Sequence, residues 1–337
     1  MRLLRLLLSF AVLGVLAWTG WWYAVALGQE KALAAWFDER ARAGWQAEHG
    51  EIRLTGFPFR LVRELPDLRL ADPGAGWAWA APFLRIESGP VNPTRFDVTW
   101  PDSQSFAVPG ERTEIGSRAL AARLHVRPES ALRLVEARID AAALEIAAGS
   151  GWRAGAATLE SRVTARVNDP GYDLALHAER VELPAPLIAR IDPLGVAGRE
   201  VERLTLDGAA VFDRPLDRRL IEQGRLGLVE ATVRHAGLEW GEVRLALSGK
   251  IRVDAQGYPV GSLDVEAHQW RELLAMARRS GALDPDMAGM VEAALGLVAA
   301  LGGDRDRLDA TLRFDGGQVW LGPVSLGQAP RLAPPKG

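Results

Sequence analysis

Apolar and charged residues alternate with a period of two along much of this chain. In the segment 243–253, apolar side chains occupy most odd positions, while arginine, serine and lysine occupy most even ones. Similar alternation occurs in 120–127, 162–167 and 308–315. Because successive side chains of a strand point to opposite faces, this pattern predicts strands with one apolar and one charged face.

Turn-forming sequences separate these segments, among them Asn168–Gly171, Asp254–Gly257 and Asp315–Gly317. Short turns between neighbouring strands favour antiparallel pairing. Gly208 lies inside an otherwise continuous strand pattern, which indicates a bulge or bend. We therefore predict a mainly β, α+β-class fold with a large, curved, mostly antiparallel sheet.

Helical periodicity is limited to a few segments. Glu30–Trp45 and His268–Ser280 have apolar residues at three- and four-residue steps, and Met287–Leu301 is apolar almost all round. Such segments predict helices that cover part of the sheet. The predicted organisation is an anchor or signal at 1–29 and an exported domain at 30–337. That domain comprises a helix at 30–45, strands within 51–267, helices within 268–302 and closing strands within 304–327.

The N-terminal segment Leu6–Leu27 has no charged residue and follows Arg2 and Arg5. An apolar run of about 20 residues is long enough to cross a bilayer, and basic residues before it favour a cytoplasmic N-terminus. Aromatic residues that suit the headgroup layer follow within the run: Trp18, Trp21, Trp22 and Tyr23. These features predict a single-pass membrane protein whose chain after Glu30 lies outside the cytoplasm.

A cleaved secretory signal is the alternative interpretation of this segment. Ala24 and Ala26 fit the small-x-small pattern that precedes a cleavage site. The apolar run is longer than the usual signal core of about 7–15 residues, and the bulky Trp22 and Tyr23 crowd the site. An uncleaved anchor is therefore favoured, and both interpretations export the rest of the chain.

Charge and motif content exclude several function classes. The formal net charge is −3, without the concentrated basic face that nucleic acid requires. The absence of cysteine excludes disulfides and thiolate chemistry. No dinucleotide, phosphate-loop or nucleophile-elbow motif occurs, and the five histidines lack metal-ligand spacing. The sequence thus predicts a non-enzymatic protein without metal or cofactor.

Several short motifs are spread along nearly the whole chain: Ala34–Arg40, Gly44–Trp45, Gly56–Pro58, Gly76–Pro82, Asp315–Gly316 and Leu321–Pro330. Together they resemble a bacterial family called domain of unknown function 2125. The resemblance implies a bacterial envelope protein, anchored in the inner membrane by one N-terminal helix with its C-terminal domain in the periplasm, and it assigns no catalytic residue. The repeated amphipathic strands are more loosely similar to the AsmA-like superfamily, whose membrane-anchored members carry lipid along an apolar groove.

The apolar face of such a sheet must be covered, because exposed apolar surface is costly. Two later helices are few for so many strands, so we hypothesise that the domain shelters lipid-like molecules or supports outer-membrane assembly. The alternative is a scaffold that fills its own core and recruits an envelope protein through its charged face. The expected ligand-facing residues, which would serve equally well as core, are Leu245, Leu247, Ile251, Val253, Leu312, Phe314, Met287, Met290 and Val298.

Two tryptophans form a separate candidate site. Trp77 and Trp79 share one face of an extended segment and could form an aromatic platform for stacking or lipid contact. The interpretation favoured from sequence is that both pack as core under the first helix.

Overall fold

The computed structural model describes residues 2–167, 169–192, 195, 197–220, 226–279, 285–301, 304, 306–322 and 324–332. The chain divides into two compact units, residues 1–125 with 148–150, and residues 126–147 with 151–337. Strands predominate in both units and pair in antiparallel fashion, with few helices. The predicted mainly β, antiparallel fold class is confirmed.

The described residues of the first unit form one long helix and eight strands. Helix α1 covers Arg2–Arg42 and is long and apolar enough to cross a membrane. Gly44 follows it at a φ of +88°, a left-handed conformation that commonly ends helices. The strands are β1 (Gln46–Glu48), β2 (Arg53–Thr55), β3 (Leu61–Asp72), β4 (Trp77–Ser88), β5 (Arg95–Thr99), β6 (Ser103–Val108), β7 (Glu111–Gly116) and β8 (Ala119–Val126).

Strands β3 and β4 form the centre of the first unit. They pair from Leu61 opposite Ser88 to Asp72 opposite Trp77. Phe37 of α1 packs against the buried side chains of Leu65 and Leu68 on β3. The last part of α1 therefore serves as core of the first unit.

In its described residues, the second unit is an antiparallel meander of ten strands with three helices. Each strand from β9 to β18 pairs with the next one in the chain. The strands are β9 (Leu134–Ala148), β10 (Arg153–Ala165), β11 (Gly171–Glu182), β12 (Glu200–Phe212), β13 (Leu228–Trp240), β14 (Val243–Val253), β15 (Pro259–His268), β16 (Arg307–Asp315), β17 (Gln318–Leu321) and β18 (Val324–Gln328). The helices are α2 (Ala185–Ile191), α3 (Trp270–Arg279) and α4 (Pro285–Leu301).

The alternating segments lie in strands, with one boundary error. Strands β8, β14 and β16 match their predicted segments, whereas β10 ends at Ala165 and leaves Val167 exposed outside the strand. The bulge predicted at Gly208 is confirmed, because the pairing register of β12 and β13 shifts between Asp207 and Gly208. The predicted turn at Asn168 falls on a position outside the described residues.

Three helices pack on one end of the meander. Trp270, Leu274 and Val291 from α3 and α4 form one buried cluster with strand residues Ala267 and Leu308. A second cluster joins Ile188 of α2 and Met276 of α3 to three strand residues, Val201, Trp240 and Val243. These helices cover the apolar face at the edge where β12, β14 and β16 begin.

Candidate functional site

The apolar face of the meander continues beyond the helix-covered end as a band two residues deep. One row follows Leu176, Leu206, Leu247 and Val265, which are linked through β11 to β15 by strand register. These side chains are half-buried rather than enclosed. We call this region the apolar band; its members are Ala137, Ile139, Ser161, Val163, Leu174, Leu176, Leu206, Gly208, Val233, Ala236, Leu247, Gly249, Leu263, Val265, Ala310 and Leu312.

The face is buried on either side of the apolar band. On the helix side, Ala178, Ala267 and Leu308 are buried. On the far side, Tyr172 and Phe314 are buried, and the Tyr172 hydroxyl accepts a hydrogen bond from the backbone N–H of Leu216 at 2.9 Å. The face is therefore enclosed at its two edges and more open between them.

Two glycines, Gly249 in the apolar band and Gly261 beside it, allow close approach of neighbouring strands. At Gly249 the φ is +136°, and a Cβ there would overlap the carbonyl oxygen of Ser262. At Gly261 the φ is +141°, and a Cβ would overlap the carbonyl oxygen of Lys250. Because no L side chain fits such an approach, these positions require glycine.

The predicted ligand-facing residues fall into three different environments. Leu247 and Leu312 belong to the apolar band, while Leu245 and Val298 pack against the buried cluster under α3 and α4. Ile251 and Phe314 both pair with Gly261 at the far edge of the face. Ile251 is half-buried there, and Phe314 is buried.

The three remaining candidates are Val253, Met290 and Met287. Val253 is buried opposite Pro259 at the far edge of the face. Met290 of α4 is exposed. Met287 belongs to the same helix, but its side chain is outside the described residues.

Several band residues were not identified from sequence, among them Leu174, Leu176 and Leu263. Their strands show the two-residue alternation, which was the available signal. In β11 that signal is broken, because Arg180 has a φ of +48° and the apolar positions change phase there. Only strand register shows that these residues form continuous rows.

The opposite face of the meander carries paired charges. Arg234 on β13 binds Asp207 at 2.7 Å and Asp173 at 3.0 Å. The hydrogen bond from Arg234 lowers the pKa of Asp207, and hydrogen bonds to Asp207 and Asp173 raise the pKa of Arg234. Similar pairs join Arg138 to Asp140, Arg203 to Glu239, Lys250 to Glu230 and Arg307 to Glu266.

Three tryptophans of α1 are hydrogen-bonded to loops of the first unit. The Trp18 Nε1 donates to the carbonyl of Pro58 at 3.0 Å, and the Trp21 Nε1 donates to that of Pro90 at 2.9 Å. Trp22 is buried and donates to the carbonyl of Arg60 at 2.9 Å.

A buried arginine joins the same helix to β3. Arg63 is 5% exposed, and its Nη2 donates to the backbone carbonyl of Ala26 at 2.8 Å. Its Nη1 donates to the Gln29 amide oxygen, while the Gln29 nitrogen contacts Ser88 at 3.2 Å. Burial lowers the pKa of Arg63, partly opposed by the negative charge of Glu30.

Trp77 and Trp79 both contact other side chains of the first unit. Trp77 stacks on Phe106 at 6.3 Å and meets Trp45 edge-on at 5.1 Å. Trp79 packs against the cluster around Phe37 and donates from Nε1 to Gln104 at 2.7 Å.

The described residues contain no group of three or more histidine or acidic side chains that could hold a metal ion. Comparison with curated proteins finds no match. Comparison with solved structures also finds none. A family model described as an uncharacterized protein conserved in bacteria, DUF2125, matches residues 21–330. The chain therefore belongs to the DUF2125 family.

Proposed function

We propose that this protein is a periplasmic, inner-membrane-anchored protein that shelters the acyl chains of lipid-like molecules on its apolar band. The observation that carries the proposal is the row of half-buried aliphatic side chains between two buried edges of one face. Contiguous exposed apolar surface commonly marks a binding site. Ser161 is the one polar side chain among the band members, so the band suits hydrocarbon better than a polar ligand.

The anchor supports a lipid as the ligand. Helix α1 is long and apolar enough to cross a bilayer, which would keep the chain beside a source of lipid. A tethered apolar surface could hold acyl chains as they leave the membrane, and it could thereby support outer-membrane assembly.

A scaffold that recruits an envelope protein through the charged face is less well supported. Charges on that face are paired with one another, as Arg234 is with Asp207 and Asp173. Paired charges of opposite sign present little net charge to a partner. We therefore prefer the apolar band as the functional surface.

Photocrosslinking of the full-length protein in cells tests the proposal. A photoreactive benzoylphenylalanine replaces Leu263 in the band, and the matched control replaces Ser262, the exposed neighbour on the opposite face of β15. We expect lipid adducts at position 263 and none at position 262. Protein adducts alone at position 262, with no lipid at 263, would support the scaffold and overturn the lipid function.

A further inference from the structure

The free part of α1 is too short to cross a bilayer alone. Side chains from Arg5 to Ala17 are exposed, and Trp18 is the first after them to bond to the first unit. The uncharged stretch from Leu6 to Ala17 measures about 18 Å at 1.5 Å per residue. The hydrocarbon core of a bilayer is about 30 Å thick and requires about 20 residues.

The remaining apolar turns of α1 lie beside two loops of the first unit. Trp18 and Trp22 donate to carbonyls of the loop after β2, and Trp21 donates to Pro90 in the loop after β4. The Phe59 ring lies 6.5 Å from that of Trp18, and the Phe57 ring lies 5.4 Å from that of Trp22. If residues up to Leu27 complete the span, these loops must lie at membrane depth.

The tips of both loops are apolar and exposed. Phe59 is 74% exposed, Phe57 is 52% exposed and Val91 is 67% exposed. Large apolar side chains clustered at the surface indicate a site of contact with a partner or a membrane. The indole N–H groups of Trp18, Trp21 and Trp22 beside these loops are bonded to protein carbonyls. The tryptophan rings can therefore enter an apolar layer without losing hydrogen bonds.

We propose that the loops carrying Phe57, Phe59 and Val91 insert into the outer part of the phospholipid bilayer beside α1. The protein is then anchored in the membrane by a helix and two loops. The alternative, a bilayer thinned to the length of the free helix, carries a cost for each ångström of mismatch. Arg60 pairs with Glu87 at 3.0 Å, and its long side chain could reach the headgroups. The proposal rests on α1 crossing the bilayer and is independent of what occupies the apolar band.

Fluorescence depth measurement tests this proposal. The sequence has no cysteine, so each single variant carries one label. An environment-sensitive fluorophore is attached to Phe59→Cys or Val91→Cys in the full chain, in vesicles of phosphatidylethanolamine and phosphatidylglycerol. Some vesicles contain lipids with a nitroxide near the headgroup, and others contain lipids with a nitroxide near the chain end. We expect blue-shifted emission at both positions, with strongest quenching by the headgroup-proximal nitroxide.

Two further labels separate the possible results. Leu13→Cys reports the membrane span and should be quenched most by the chain-end nitroxide. Val108→Cys is the control, because position 108 lies at the other end of β4 from Val91. Its neighbour Ala107 pairs with Ala78 near the start of that strand, whereas Val91 lies beyond the strand's end. If the labels at 59 and 91 show the same emission and quenching as the label at 108, while the label at 13 is quenched, loop insertion alone is overturned. An unquenched label at 13 would overturn the membrane span and the insertion together.

Discussion

The Nη2 of Arg63 on β3 donates a hydrogen bond to the backbone carbonyl of Ala26 in α1, 2.8 Å away. The same guanidinium bonds to Gln29 one turn later in the helix. Arg63 is buried, so this contact fixes the helix to the sheet of the first unit through an arginine largely removed from water. A segment that by sequence alone could be a removable signal is thus part of the core of the first unit.

Replacement of Arg63 should release α1 from the sheet. For Arg63→Leu we expect a loss of roughly 2–4 kcal/mol in local stability, because buried hydrogen bonds from a charged group disappear. Hydrogen exchange of β3 amides in the full chain measures this loss, and Arg63→Lys should recover part of it. Arg85→Leu is the control, since its exposed pair with Glu64 should contribute about 0–1 kcal/mol. Equal effects of the two leucine variants would contradict this account.

The chain should keep its residues before Ala26. Trp22 and Ala26 are buried in one cluster with Leu61, which hides the residue that would precede the cut, and the family match includes residues from 21 onward. Intact mass measurement of the membrane protein should find the uncut chain. Ala24→Leu removes the cleavage pattern at an exposed position and should leave the mass unchanged apart from the substitution. A mature N-terminus at Leu27 would refute the prediction.

Two glycine substitutions in the second unit should change stability in opposite directions. Gly261→Ala places a Cβ against the Lys250 carbonyl at a φ of +141°, so we expect a loss of about 2–4 kcal/mol. Gly296→Ala in α4 meets no atom within 4 Å and should gain up to about 1 kcal/mol from helix propensity. Hydrogen exchange in β15 and in α4 reports each change. Equal tolerance of both substitutions would argue against the close strand approach.

The charged face should make stability depend on pH in the acid range. Hydrogen bonding to Arg234 lowers the pKa of Asp207 in the folded state. The contribution of this pair to the free energy of unfolding is therefore fully present above the ordinary aspartate pKa of about 3.9. It is lost as the pH falls through the folded-state pKa of Asp207.

Urea unfolding at a series of acid pH values measures this dependence. Asp207→Asn should flatten the pH profile, and Arg234→Gln should flatten it as well because Asp207 then loses the partner that lowers its pKa. An unchanged profile in Asp207→Asn would show that the pair does not couple to folding.

Local patterns in the sequence determined the strands and the apolar helix. The alternation in 243–253 predicts β14 because the direction of each side chain depends on the pleat of its own strand. Likewise, the uncharged run Leu6–Leu27 predicts a helix from residues that are neighbours in the chain. Both signals lie within one element and can be read without knowing what it packs against.

Tertiary structure decided what those elements meet. Arg63 could be an ordinary charged strand residue by sequence, and only packing places it within reach of Ala26, 37 positions earlier. The apolar band likewise depends on the register of neighbouring strands, which the shift at Gly208 alters. The reason is physical: side-chain direction follows from local backbone geometry, whereas burial and hydrogen-bond partners depend on groups that folding brings from distant parts of the chain.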